Sequence, residues 1–225
     1  MSLITIKRKV LEKNDEIARQ NREQFEQKGI FSLNIVSSPG SGKTSILERT
    51  IESLKSAIPL GVIEGDVQTD IDARRVARFG IPAVQIVTLG GCHLEAGLVR
   101  DAIAQMDLFS LRIVFIENVG NLVCPSGYDL GEAMKVVVIS TSEGDDKPLK
   151  YPAMFRAASV MIINKIDLLP YVDCSIETLE ANALKINPAL KVFRMSCRTA
   201  EGVREWCDWL TRQVRSRAQG EQLLS

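Results

Sequence analysis

The sequence predicts an α/β protein with a mostly parallel central sheet flanked by helices. Seven short apolar runs lie along the chain: FSLNIVSS (31–38), PLGVIEGD (59–66), AVQIVTLG (83–90), LRIVFIENVG (111–120), MKVVVIS (134–140), SVMIINK (159–165) and LKVFRMS (190–196). Helix-like stretches such as TSILERTIESLKS, LEAGLVRDAIAQM and SIETLEANALKI separate several of them. Continuous apolar strands alternating with helices build βαβ units, whose sheet is buried on both faces. The first run also opens directly into a glycine-rich loop, which leads to the first of these helices.

Taken in order, residues 6–28 read as a charged helix ending at Gly29, with Val10, Ile17 and Phe25 as a thin apolar stripe that docks it on the domain. The alternating pattern then occupies a single domain. The closing stretch AEGVREWCDWLTRQVRSRAQ reads as a last helix, with Trp206 and Trp209 turned into the core. The expected organisation is an N-terminal helical segment (1–30), an α/β domain (31–218) and a short C-terminal tail (219–225).

Composition narrows the function classes. A chain of 225 residues can bury one sizeable core. Lys+Arg and Asp+Glu both number 28, so the net charge is zero. That balance argues against a dedicated nucleic-acid binder. No apolar run is long enough to span a bilayer. The start, MSLITIKRKVLEKNDE, lacks the apolar stretch of a secretory signal, so a cytoplasmic protein is expected. Five cysteines, an odd number without framework spacing, fit reduced thiols. Cys174 and Cys207 read as structural.

The loop is SSPGSGKTS, Ser37 to Ser45. Strand, small-residue loop, Gly-Lys-Thr and helix is the context of a P-loop. Backbone N–H groups of residues 40–45 would turn toward phosphates, helped by the helix N-terminus. Pro39, Gly40, Ser41, Gly42, Lys43, Thr44 and Ser45 are the expected nucleotide contacts. Lys43 would reach the β- and γ-phosphates, and the Thr44 hydroxyl would bind Mg²⁺. One position departs from G-x-x-x-x-G-K-[ST]: its first glycine is Ser37 here, which fits if φ stays negative.

A second motif names the base. SVMIINK runs into Asn164-Lys165-Ile166-Asp167. An Asp167 carboxylate at that strand end can accept hydrogen bonds from guanine N1–H and the exocyclic amine, and adenine has neither donor in that arrangement. After the next strand, Ser196-Cys197-Arg198 stands where a backbone N–H would meet guanine O6, and Cys197 serves there as a small loop residue. Two acids remain at strand tips, Asp66 and Glu117. Ligands gather at such strand ends, so Thr44, Asp66 and Glu117 are the candidate magnesium shell. Asp66 could also align the attacking water. Asp70 and Asp72 are expected to cap or solvate the following helix. No glutamine stands out to position water, so hydrolysis is expected to be slow, on the order of 10⁻⁴ to 10⁻² per second.

The only histidine, His93, follows Cys92 in TLGGCHLEAG, and Cys124 comes seven residues after Glu117 in ENVGNLVCPSGYDLGE. Thiolates and imidazole suit Zn²⁺ and Ni²⁺. Three ligands are too few for a closed zinc site, so water or a second subunit would complete it. From these residues alone a metal site and an ordinary turn both remain open.

SSPGSGKT, EGDVQTDIDARR, GGCHLEAG, ENVGNLVCPSGYDLGE, EGDDKPLKYPAMF, NKIDLLPY and MSCRTAEG, in this order from about Phe31 to Arg215, resemble the nickel-incorporation GTPases of [NiFe]-hydrogenase maturation, the HypB family. The resemblance implies a P-loop GTPase domain of the metal-chaperone type, with GTP/GDP, Mg²⁺ and Ni²⁺ or Zn²⁺ as ligands. It implies that Cys92, His93 and Cys124 bind nickel or zinc near a dimer interface. It also implies a homodimer, a small zinc- and nickel-binding maturation partner and the hydrogenase large-subunit precursor as partners. Lys147 and Lys150 match a motif of the family whose role the residues do not give, with contact to nucleotide and contact to a partner subunit as the two alternatives, and Leu168, Leu169 and Val172 match a segment of dimer contact, with core packing as an equal alternative. Some relatives carry an N-terminal cysteine cluster or a histidine-rich tract; no cysteine or histidine precedes Phe31 here. A urease-type accessory GTPase, a P-loop small-molecule kinase and a purely structural zinc are the alternatives.

Overall fold

The structure, a computed structural model, describes residues 3–68 and 71–222, with side chains for 11–68 and 74–217. All seven apolar runs form strands: β1 (Phe31–Ser37), β2 (Leu60–Asp66), β3 (Ala83–Val87), β4 (Ile113–Glu117), β5 (Met134–Ser140), β6 (Val160–Asn164) and β7 (Lys191–Arg194). They make one sheet in the order β3-β2-β4-β1-β5-β6-β7, parallel at every pairing. β1 lies between β4 and β5, so the chain builds outward from it in both directions. The loop after β1 therefore opens at the point where strand order reverses, and such sheets form their ligand crevice there. The fourth run extends past its strand, because Asn118–Gly120 leaves the ladder and turns over this crevice.

The helices are α1 (Leu3–Gln27), α2 (Lys43–Leu54), α3 (Ile71–Ala77), α4 (Ala96–Ile103), α5 (Lys147–Lys150), α6 (Pro152–Ala157), α7 (Ile176–Ile186) and α8 (Val203–Gln222). Helices α3, α5 and α6 have only four to seven residues, too few for the apolar period to emerge from sequence. The expected capping roles of Asp70 and of the Asp72 side chain lie outside the described residues. Among the described residues no helix is long and apolar enough to cross a membrane.

Every residue of β1 is buried, as a strand covered on both faces requires. On one face α2 and α8 pack through Ile46, Leu47, Ile51, Trp206 and Leu210. The other face is covered by α1 and α4 over one half and by α6 and α7 over the other. Trp206 is 1% exposed, stacks on Trp209 at 5.3 Å and donates its indole N–H to Thr50 Oγ1 at 3.0 Å. Trp209 is only half-buried and forms the outer layer. Trp206→Ala will lower stability by about 3–5 kcal/mol, the cost of emptying such a site; a urea unfolding curve measures it.

The docked face of α1 differs from the expected stripe. Among the described residues its buried ones are Asn14, Ala18, Asn21 and Phe25, while Ile17 is half-buried and the Val10 side chain lies outside the described residues. The asparagines fit because their amides meet backbone groups. Asn21 Nδ2 donates to Ala96 O and Leu130 O, both at 2.9 Å. Asn14 Nδ2 donates to Asp129 O at 2.8 Å, and its Oδ1 accepts from Ala96 N at 2.9 Å. Gly131 permits the close approach: its φ is +90°, and a Cβ there would stand 2.5 Å from Ala18 O. Thus α1 ties the start of α4 to the segment before β5.

Candidate nucleotide and metal sites

Ser37 ends β1 in extended backbone, so a side chain is tolerated where the P-loop pattern has glycine. Lys43 Nζ donates to Ser37 Oγ at 3.1 Å and lies across the loop mouth. Gly42 has φ +100°, and any Cβ there would collide with the Asn164 amide. Helix α2 begins with no side-chain cap, which leaves its first N–H groups directed at the loop. Ser41 Oγ donates to Ser38 O at 2.9 Å and sits 2.7 Å from Glu143 Oε1. Ser45 takes a hydrogen bond from Arg75 at 3.4 Å. A loop of small residues with N–H groups converging beside one lysine can hold a chain of phosphates.

The NKID segment closes over the same loop. Asn164 Nδ2 donates to Ser41 O at 2.9 Å, and its buried Oδ1 has no hydrogen-bond partner. Lys165 takes a left-handed conformation, φ +62°, and donates Nζ to Gly40 O at 2.7 Å. Asp167 Oδ1 accepts from Ser196 Oγ at 2.6 Å, which fixes the carboxylate plane. A cavity of 570 Å³ follows, lined by Asn164, Lys165, Asp167, Leu168, Cys197 and Arg198 among others. That volume suits a base and its sugar. Arg49 Nε donates to Cys197 O at 2.8 Å and anchors the last loop. Burial pushes the Cys197 thiol up to about 11, so it stays protonated and inert.

A separate recess next to the phosphate loop is lined by Lys43, Asp66, Glu117 and Gly120, and also by Glu64. Thr44 Oγ1 donates to Glu117 Oε1 at 2.8 Å, which unites two of the three proposed magnesium ligands. Asp66 stands at the rim, where it accepts from Gln68 N at 3.3 Å. Glu64 pairs with Glu117 across β2 and β4, so two buried carboxylates face one recess. Hard oxygens around a small recess beside phosphates fit a divalent cation.

The metal candidates also meet. One ligand atom from each of Cys92, His93 and Cys124 lies within 4.8 Å of the others. Two glycines precede Cys92 and a left-handed Leu89, φ +50°, starts the turn that lets neighbouring side chains converge. Cys92 Sγ is 3.4 Å from His93 Nδ1. The imidazole lies 3.9 Å from the Tyr128 ring, and its Nε2 is buried without a hydrogen-bond partner. Cys124 opens a 3₁₀ turn, Cys124–Gly127, and Asn121 Nδ2 reaches Cys92 O at 3.2 Å. A hydrogen bond with Cys124, and then burial, raise the Cys92 thiol; burial lowers His93. Two sulfurs and an imidazole short of partners are a soft donor set with an open position.

The family model for the CobW/HypB/UreG nucleotide-binding domain matches residues 32–194. The hydrogenase maturation factor HypB of Azotobacter vinelandii is 54% identical over 211 residues, covering 94% of this chain and 70% of that protein. This chain belongs to the HypB family. The solved HypB structure from Archaeoglobus fulgidus superposes with a TM-score of 0.85 at 40% identity, over 91% of this chain and 100% of that one. HypB from Helicobacter pylori, solved in complex with nickel, gives 0.86 at 38% identity, over 91% and 96%.

Two further carboxylates at the site carry no motif of their own in the sequence. Glu64 sits in the recess, and Glu143 joins the phosphate loop to α5 through Ser41 and an ion pair with Lys147 at 3.6 Å. An acid inside an apolar run, as in VIEGD, was the available signal for Glu64. Lys147 also stands 5.4 Å from the Tyr151 ring, and Lys150 pairs with Asp146 at 2.6 Å. The segment after NKID divides: Leu169 packs on the core, Val172 is half-buried, Leu168 faces the cavity and Tyr171 is 83% exposed. Cys207 is buried and Cys174 half-buried against apolar neighbours.

Proposed function

We propose that this protein is a GTP-hydrolysing metallochaperone that carries nickel, or zinc, as cargo at Cys92, His93 and Cys124 and assists nickel insertion during [NiFe]-hydrogenase maturation. The observation that carries this reading is the position of the thiol–imidazole cluster. Cys124 lies on the segment that leaves the phosphate recess at Glu117, so one stretch of chain serves both sites. The nickel in the Helicobacter pylori relative supports the choice of cargo.

In this reading the phosphate loop, with Lys43, holds the triphosphate, and Asn164, Lys165 and Asp167, with Ser196–Arg198, select guanine. Thr44, Asp66, Glu117 and the added Glu64 hold Mg²⁺, whose role is to neutralise charge on the phosphates. Asp66, at the rim, orients water. The protein acts as a homodimer in the cytoplasm and passes metal to a small zinc- and nickel-binding maturation partner or to the hydrogenase large-subunit precursor. Water or a second subunit completes the metal site.

Coupling between two sites typically changes affinity by roughly five- to 150-fold. Nickel titrations of GDP-bound and GTP-analogue-bound protein will differ by a factor in that range. Equal affinities and equal release rates in both states would sink the coupling. A kinase would pass phosphate to an acceptor; release of free phosphate alone supports hydrolysis.

A further inference from the structure

Between the two sites runs a line of buried polar side chains that begins at Asn118, on the wall of the phosphate recess. Asn118 follows Glu117 directly and is 2% exposed. Its Oδ1 accepts from Leu94 N and from Val119 N, both at 3.0 Å. Its Nδ2 donates to Asn34 Oδ1 at 3.2 Å. Asn34, fully buried in the middle of β1, donates Nδ2 to Glu132 Oε1 at 3.0 Å. The other oxygen, Glu132 Oε2, accepts from Leu130 N at 2.8 Å. Lys135 lies 3.5 Å from Glu132 and donates to Pro125 O at 3.0 Å and Tyr128 O at 2.9 Å.

The ends of this line matter. Leu94 is the residue after His93, and Pro125 is the residue after Cys124. The middle touches the phosphate side. Glu117 holds Thr44, and Gly120 packs so closely on Pro39 that a Cβ would stand 3.1 Å from its Cα. We propose that Asn118, Asn34, Glu132 and Lys135 are positioning residues that set the separation of Cys92–His93 from Cys124 according to the state of the phosphate pocket. The proposal rests on the coupled function proposed above and names its carrier.

The physical reason is the cost of a broken link. A buried amide or carboxylate that loses one partner leaves an unsatisfied group, so these side chains exchange partners together rather than singly. A shift of residues 117–120 moves the two N–H groups held by Asn118 Oδ1. It also pulls on Asn34 and, through Glu132, on Leu130 and the turn at Cys124. Buried ionic groups are best attested as register or switch devices. Position between two sites is not itself coupling, so the test reverses the polarity of one link.

Asn34→Asp sets two acceptors against each other at the Glu132 link. Glu132→Gln leaves one of its two N–H partners facing the amide NH2, donor against donor. The double variant restores the hydrogen bonds of this link: the new amide at position 132 donates to the new carboxylate at position 34, and the amide oxygen accepts from Leu130 N, while the negative charge near Lys135 moves from position 132 to position 34. Nickel affinity is measured for each protein with GDP and with a GTP analogue. The ratio of the two affinities is expected to fall toward 1 in both single variants and to return in the double variant, with nickel and nucleotide each still bound. Single variants that keep the wild-type ratio overturn the proposal, and so does a double variant that stays uncoupled. A wild-type ratio of 1 sinks the coupled function itself, and the relay with it. Should the single variants fail to fold, amide exchange on the wild-type protein decides. Protection at Leu94 and Leu130 must change together when GDP is replaced by the analogue; independent or absent changes overturn the proposal.

Discussion

Asp167→Asn will turn the nucleotide preference from guanine to xanthine. Ser196 Oγ already binds one oxygen of the carboxylate, so in the variant the amide nitrogen is the atom left to face the base. Guanine then meets a donor where it needs an acceptor. Two hydrogen bonds to a charged group are worth roughly 1.5–3 kcal/mol each, so GDP should weaken by about 10²- to 10⁴-fold. Xanthine carries a carbonyl in place of the exocyclic amine and accepts from the new amide. Competition between fluorescent GDP and XDP measures the exchange. Similar losses for both nucleotides would show that Asp167 does not read the base.

Cys124→Ser should abolish tight nickel binding while leaving the fold and nucleotide binding intact. Loss of a residue that merely supports a metal ligand costs about 10- to 100-fold in affinity. Loss of one of three ligands should exceed that range. The fold should survive, because Cys124 is part-exposed and outside the apolar clusters, and its turn is held by Lys135 and by Ser126, whose hydroxyl donates to Val123 O at 2.7 Å. Nickel titration read beside a thermal melt tests both halves. Unchanged affinity removes Cys124 from the site, and collapse of the fold would favour a structural zinc.

The sheet was legible because its central strands are buried on both faces and so read as largely apolar runs, while the edge strands β3 and β7 are partly exposed. The phosphate loop and NKID were legible because their spacing is local. The structure brings Lys43 and Glu117 to one recess, with Thr44 bonded to Glu117, and it brings Cys92, His93 and Cys124 to one point, a grouping that the resemblance implied and the residues alone left open. Harder to read were residues whose meaning depends on partners far along the chain. Asn34 looks like an interruption of FSLNIVS until Glu132, 98 positions away, accepts its amide. Asn14 and Asn21 look like solvated positions on a charged helix until Asp129 and Leu130 appear beneath them. Glu64 looks like a stray acid in an apolar run until β4 sets Glu117 beside it.

The docking of α1 has a thermal consequence. Among its described side chains two of the four buried ones are amides, so undocking exposes polar surface along with the Phe25 ring. Apolar exposure raises heat capacity and polar exposure lowers it, and in this helix the two partly cancel. The described part of the helix therefore holds Ala96 and the Asp129–Leu130 backbone, near the candidate metal residues, through a contact with less heat-capacity curvature than the Trp206 face of the sheet. Cooling, which weakens apolar burial, leaves that grip comparatively untouched.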